Sequence, residues 1–184
     1  MALLDSRVAE FVVVVSNVAG VPGLARATDR GVPAIGVPHG RDREAHEHQL
    51  AEVLDAHGVE VLVLAGYMRL LTPWFVRRYE GRMLNIHPSL LPAFPGLDTH
   101  ARALAAGCRV AGCTVHLVTD AMDAGPILGQ AAVPVLRGDT EATLAARVLA
   151  AEHTLYPATL AAYLGGIANE PDGGATLANP RSVA

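Results

Sequence analysis

FVVVVSNVAGVPGLARATDRGVPAIGV, residues 11–37, carries the pattern from which the fold follows. It opens with a phenylalanine and four valines in a row. A strand with one wet face alternates apolar and polar residues; an unbroken apolar run marks a strand covered on both faces, as in a parallel sheet. Residues 22–31 come next, with Pro22 near the start and Gly31 at the end, the asymmetry of a short helix. Residues 33–37 then return as a second short strand. The unit is strand, helix, strand.

The chain outward from this unit repeats the alternation. Residues 42–58 form an amphipathic helix, with Leu50, Val53 and Leu54 at helical spacing and Gly58 as its stop. Residues 59–66 and 82–87 are again apolar strands, and a helix covers about 98–106. Two longer strands, 110–119 and 127–136, flank a turn that holds Asp120, Asp123 and Gly125. A long helix over 140–166 follows, with a kink expected at Pro157. Such alternation specifies an α/β fold: a Rossmann-like three-layer sandwich with a mainly parallel central sheet. One domain spans 1–166, and the Gly-, Pro- and Asn-rich residues 167–184 are expected to form a loose tail.

Composition narrows the function. The 184 residues are 51% hydrophobic, enough for a substantial core, and the net charge is −4. That charge gives no support for nucleic acid as the main partner. Two cysteines, Cys108 and Cys113, make neither a disulfide framework nor a zinc pattern and are assigned as small apolar fillers. His46 and His48 are two apart on a helix, a poor metal pair. With no signal-like start and no apolar run of membrane-spanning length, the expectation is a cytoplasmic, metal-free protein.

The chemistry concentrates at the end of the 82–87 strand. Asn85 and His87 are two apart on a strand and therefore share a face. Pro88, Pro92 and Pro95 keep the segment that follows open, beyond a strand end where ligands of such sheets bind. On these two residues alone, a buried, hydrogen-bonded strand-end histidine is the simpler account. Asp123 changes that balance, because its turn can bring a carboxylate to the same cleft. A carboxylate beside an imidazole orients it and favours its charged form, and an amide N–H donates to an oxyanion. The trio suits acyl transfer through a tetrahedral intermediate. The chain has no nucleophile elbow, so a substrate amine or water is the expected attacker.

LNIHPSLLPAFPGLDTH (84–100) and VHLVTDAMDAGPI (115–127), with AGYMRLLTPWFV (65–76) and AEHTLYP (151–157), resemble the phosphoribosylglycinamide formyltransferases. These belong to the folate-dependent formyltransferases, and the resemblance runs from about residue 11 to 164. It implies transfer of a formyl group from 10-formyltetrahydrofolate to the amine of glycinamide ribonucleotide, the third step of purine biosynthesis. Matched position by position, it implies that Asn85, His87 and Asp123 are catalytic, with Asp123 rather than Asp120 serving His87. It implies folate contacts at Arg43, Met68, Arg69, Leu70, Leu71 and Asn85, and a ribonucleotide contact at Glu152. By themselves, Arg69 is an arginine closing a strand and Glu152 a helix surface charge. His100 and His116 also fit the pattern and are assigned to packing or loop order. The implied partners are small molecules only, handled by a monomer or homodimer without nucleic acid or membrane.

One departure stands out. The family's first strand and its glycine-rich phosphate loop have no counterpart here; MALLDSRVAEF resembles the later part of the family's first helix. The absent strand would lie between those matching 11–15 and 59–65. SNVAGVPG (16–23) aligns with the second strand–helix junction, not with the phosphate loop. Weak ribonucleotide binding is therefore expected of these 184 residues. The alternatives are a folate-binding fragment without turnover, or another 10-formyltetrahydrofolate-dependent formyltransferase or deformylase.

Overall fold

A computed structural model describes residues 2–166 and the backbone of 176–178. A short helix, α1 (Ala2–Ser6), precedes the 11–37 unit, which folds as β1 (Val14–Ser16), α2 (Pro22–Thr28) and β2 (Ala34–Gly36). Pro22 opens α2, where its missing N–H costs nothing. Helix α3 (Arg43–Ala56) starts at Asp42, whose side chain accepts from the Ala45 N–H at 3.0 Å. Strand β3 (Leu62–Leu64) follows, then α4 (Pro73–Arg78), a helix not among the elements expected from the sequence. Its signal is Thr72–Pro73: the threonine oxygen caps the Phe75 N–H and proline takes the first turn.

Strand β4 (Met83–His87) leads through an irregular loop to α5 (Thr99–Ala105). Strands β5 (Val110–Leu117) and β6 (Ile127–Pro134) form the expected long pair. Helix α6 (Glu141–Leu164) begins with a reciprocal Thr140–Thr143 cap and continues unbroken through Pro157. The expected loose tail lies outside the described residues, apart from β7 (Thr176–Ala178), which pairs with β6.

The α/β architecture is the expected one, with a mostly parallel sheet: β1–β2, β3–β4 and β6–β7 are parallel, and β5 runs antiparallel to β4 and β6. One apolar cluster gathers Leu84, Val115, Leu144, Val148, Leu155 and Leu160 between the sheet and α6. The second joins Ala51 and Leu54 of α3 to Phe75, Tyr79 and Met83. Helices thus cover both faces, which is why the strands read as continuous apolar runs. The buried Tyr156 hydroxyl of α6 lies 2.9 Å from the Leu64 oxygen and 3.0 Å from the Leu84 oxygen, tying β3 to β4.

The sheet is in two parts. β1 and β2 stand apart from the five strands β3-β4-β5-β6-β7, and a cavity of about 580 Å³ lies between them.

Candidate active site

Strand alternation puts Asn85 and His87 on one face of β4, and the antiparallel register sets His116 and Thr114 of β5 directly across from them. The 118–126 turn folds back over this face. It can do so because Gly125 passes hard against β5: a Cβ there would sit 1.9 Å from the Leu117 carbonyl oxygen. Asp123, in the left-handed region at φ 52°, is thereby brought above the strands.

Its carboxylate serves three neighbours. Oδ2 lies 3.4 Å from His87 Nδ1 and accepts the Gly96 N–H at 2.8 Å, while Oδ1 lies 3.8 Å from His116 Nε2. Both imidazoles are nearly sealed from solvent. The other nitrogen of His87, Nε2, is 3.0 Å from the Phe94 carbonyl oxygen. Each ring nitrogen of His87 thus faces an oxygen. Asp120 is exposed and makes none of these contacts.

His116 is buried beside this group. Burial pushes its pKa down, against the Leu117 carbonyl and the Asp123 charge. A neutral ring with Nδ1–H donating to the Leu117 oxygen at 2.9 Å leaves Nε2 as an acceptor, 3.4 Å from the Asn85 amide nitrogen. That assignment turns the Asn85 NH₂ group toward His116 and keeps its second N–H available. The signal was present in the sequence: Thr114 and His116 obey the same two-residue spacing as Asn85 and His87.

The loop after β4 is held from both ends. The buried Thr114 hydroxyl donates to the Ser89 oxygen at 2.7 Å and accepts from the Leu91 N–H and from Gln130 Nε2, both at 3.0 Å. Further on, Arg102 of α5 donates to the Pro95 and Leu97 carbonyls, with its guanidinium 5.4 Å from the Phe94 ring centroid. Phe94, Asp98 and Asp123 all have φ above +50°. Left-handed conformations at such residues cost of order 1–3 kcal/mol each, so the contacts that hold these loops oppose a real strain.

The remaining candidates form a second group. Met68 (77% exposed) and Leu70 (60% exposed) stand out on the loop after β3, while Leu71 is half-buried against the α3–α4 cluster. Arg69 is half-buried and its Nε has no partner. Tyr67 sits with them: burial and the Glu47 charge raise its pKa, and Arg69 and the exposed Arg43 oppose this. Tyr67 was not among the sequence candidates. Exposed Leu97 and Met122 edge the site, each on a loop bonded to Asp123 or carrying it.

Glu152 belongs to another layer. It lies on α6, near Cys113, which alternation points away from the His87 face; burial, then the Glu152 charge, pushes the Cys113 thiol up to about 12. Burial alone raises Glu152 to about 6. Among the described residues no cluster of three or more His, Cys, Asp or Glu side chains is arranged to hold a metal. Among them, too, no helix is long and apolar enough to cross a membrane.

Comparison with known proteins places these features in a lineage. A family model described as formyl transferase matches residues 1–160. The trifunctional purine biosynthetic protein adenosine-3 of Bos taurus is 46% identical over 166 residues, covering 86% of this chain and 16% of that protein. Phosphoribosylglycinamide formyltransferase of Escherichia coli (strain K12) is 45% identical over 155 residues, covering 83% of this chain and 73% of that protein. The crystal structure of phosphoribosylglycinamide formyltransferase from Brucella melitensis superimposes with a TM-score of 0.82 at 53% identity, over 88% of this chain and 87% of that one. A formyltetrahydrofolate deformylase from Pseudomonas syringae superimposes with a TM-score of 0.79 at 30% identity, over 86% of this chain and 53% of that one. The chain thus spans only a small part of the trifunctional relatives that it matches.

Proposed function

The chain belongs to the formyl transferase family, and on that footing we propose that it transfers the formyl group of 10-formyltetrahydrofolate to the amine of glycinamide ribonucleotide. The observation that carries this reading is the meeting of Asn85, His87 and Asp123 on one face of β4. The substrate amine attacks the formyl carbon, and a new C–N bond forms. Asn85 donates its free N–H to the oxygen as it becomes an oxyanion. His87, held by Asp123, gives its proton to the departing folate nitrogen as the old C–N bond breaks. The proton released by the attacking amine returns the imidazole to its starting state.

Met68, Arg69, Leu70 and Leu71, with Arg43, are proposed to hold the folate. Exposed apolar side chains around an arginine suit a flat ring system with polar edges. Glu152 is proposed to contact the ribonucleotide. The proposal extends to a cytoplasmic enzyme, monomer or homodimer, that acts on small molecules without metal, nucleic acid or membrane. The likeness to a deformylase supplies one competing reading, in which water replaces the amine and formate is released.

The test is to incubate the chain with 10-formyltetrahydrofolate, with and without glycinamide ribonucleotide, and follow both products. Formylated ribonucleotide is expected. Formate release at the same rate with or without the amine would establish the hydrolase instead.

A further inference from the structure

Helix α3 buries one face through Glu47, Ala51 and Leu54, which recur at helical spacing. Ala51 and Leu54 are the apolar residues such a face calls for. Glu47 is a carboxylate, wholly buried, and among the described residues no basic group forms an ion pair with it. A charge in such a place is costly unless hydrogen bonds compensate it. Both of its bonds come from one residue. Oε1 accepts the Thr72 N–H at 2.9 Å, and Oε2 accepts the Thr72 hydroxyl.

The pair completes a helix cap across two helices. In a capping box, the oxygen of the capping residue accepts from the third helical N–H, and a glutamate at that third position accepts the N–H of the capping residue. Helix α4 meets the first half, since Thr72 Oγ1 accepts the Phe75 N–H at 3.3 Å. Phe75 has no side-chain acceptor for the second half. Glu47 supplies it from α3, 25 residues before Thr72. Because a carboxylate only accepts, the Thr72 hydroxyl hydrogen points to Glu47 and a lone pair points to α4. Thr72 is thereby held in one orientation.

Thr72 is also where the 67–71 loop ends. The near end of this loop follows β3, where the Tyr156 hydroxyl bonds the Leu64 oxygen, and among the described residues the backbone of 67–71 makes no turn or loop hydrogen bond of its own. Leu71 packs against the α3–α4 cluster, but apolar contact is non-directional. The same loop carries Arg69, whose Nε is buried without a partner, and Tyr67, whose pKa burial and then the Glu47 charge raise. The carboxylate thus acts on the loop as well as on its anchor. We propose that Glu47 is a positioning residue: by fixing Thr72 it fixes the far end of the 67–71 loop, and so sets the affinity for the folate without touching it. The role rests on the reading of Met68, Arg69, Leu70 and Leu71 as folate contacts.

The test uses the full 184-residue chain with its Glu47→Gln, Thr72→Val and Thr72→Ser variants. Tetrahydrofolate is the probe, titrated by calorimetry at a temperature where circular dichroism shows each protein folded. Backbone order parameters of 67–71 are measured by NMR without ligand. Glu47→Gln keeps the shape but sets an amide NH₂ against one of the two Thr72 donors. Affinity should fall about tenfold or more, and the order parameters from about 0.85 to below about 0.6. Thr72→Val removes the hydroxyl bond from the other side and gives the same test if Glu47→Gln does not fold. Thr72→Ser keeps both donors and should bind within a few-fold of the parent. A merely structural glutamate would lower the melting temperature and leave the affinity of the folded protein unchanged. That result, unchanged order parameters, or equal losses in Thr72→Ser and Thr72→Val would each overturn the positioning role. A parent chain that binds no tetrahydrofolate would overturn the formyl-transfer reading instead, and the order parameters alone would then decide whether Glu47 positions the loop.

Discussion

The two parts of the sheet differ in how completely their backbones are paired. Around β4, β5 and β6, each strand has a neighbour on both sides, and Leu84, Val115, Val133 and Leu155 are almost wholly buried. Around β1, pairing among the described residues is on one side only, and its valines are less buried although their sequence is as apolar as any in the chain. Equal hydrophobicity thus yields unequal burial. What differs is whether a neighbouring strand is present to cover the edge. Asn85 and His87 lie in the fully paired part, where register fixes their positions, and the 118–126 turn brings Asp123 to them.

The largest effect expected from this contrast is on chemistry. His87→Ala should lower turnover by roughly 100- to 10,000-fold, the usual worth of a positioned general acid, while leaving folate affinity within a few-fold. A well-folded variant with near-normal turnover would remove the strand-end histidine from the mechanism. Exchange rates come next. Amides bonded within β5 and β6 should exchange at least about a hundredfold more slowly than those of β1 and β2, because fewer buried contacts oppose local opening there. Equal protection would mean that the two parts unfold as one unit and that the division of the sheet has no energetic consequence.

Asp123→Asn probes how the paired region orients its histidine. It keeps the shape but removes the charge between His87 and His116, and a hydrogen bond to a charged group is worth about 1.5–3 kcal/mol, roughly ten- to a hundredfold in rate. Asp120→Asn, on an exposed side chain, should change turnover little. If the two variants behave alike, Asp123 does not act through His87. Gly125→Ala tests the turn itself. Its methyl meets backbone, which cannot step aside, so a stability loss of about 1–3 kcal/mol is expected by chemical denaturation, with turnover falling as Asp123 shifts.

The smallest effect is at Glu152. Its folded pKa of about 6 lies above the unfolded value near 4.5, so the folded form holds the proton more tightly. The stabilisation this gives is complete below about pH 4.5 and is lost as pH rises through about 6. Relative to Glu152→Gln, the parent chain should therefore lose up to about 2 kcal/mol of stability across that window, and less to the extent that solvent reaches the carboxylate. A pH-independent difference between the two proteins would show that the carboxylate is not desolvated.

Local chemistry made much of this legible in advance. Proline at the start of α2, the Asp42 cap of α3 and the unbroken valine run before β2 each act within a few residues, so sequence alone locates them. So does the pairing of Asn85 with His87 on one face, which follows from the period of a strand. Helix α4 is equally local, announced by Thr72–Pro73, but the apolar stretch around it looks the same in a strand or a helix.

The sequence by itself determined the α/β class, the continuous apolar character of the inner strands, and the shared face of Asn85 and His87, because each follows from backbone periods over a handful of residues. The tertiary structure decided how Asp123, which the resemblance favours over Asp120, reaches His87: the 118–126 turn lies close on β5 at Gly125. It also decided that His116 faces Asn85, which requires a register that pairs two residues 31 positions apart. And it decided that valines 12 to 15 line a cavity between the two parts of the sheet. Burial is a property of neighbours brought from elsewhere in space, and no residue's own chemistry can specify it.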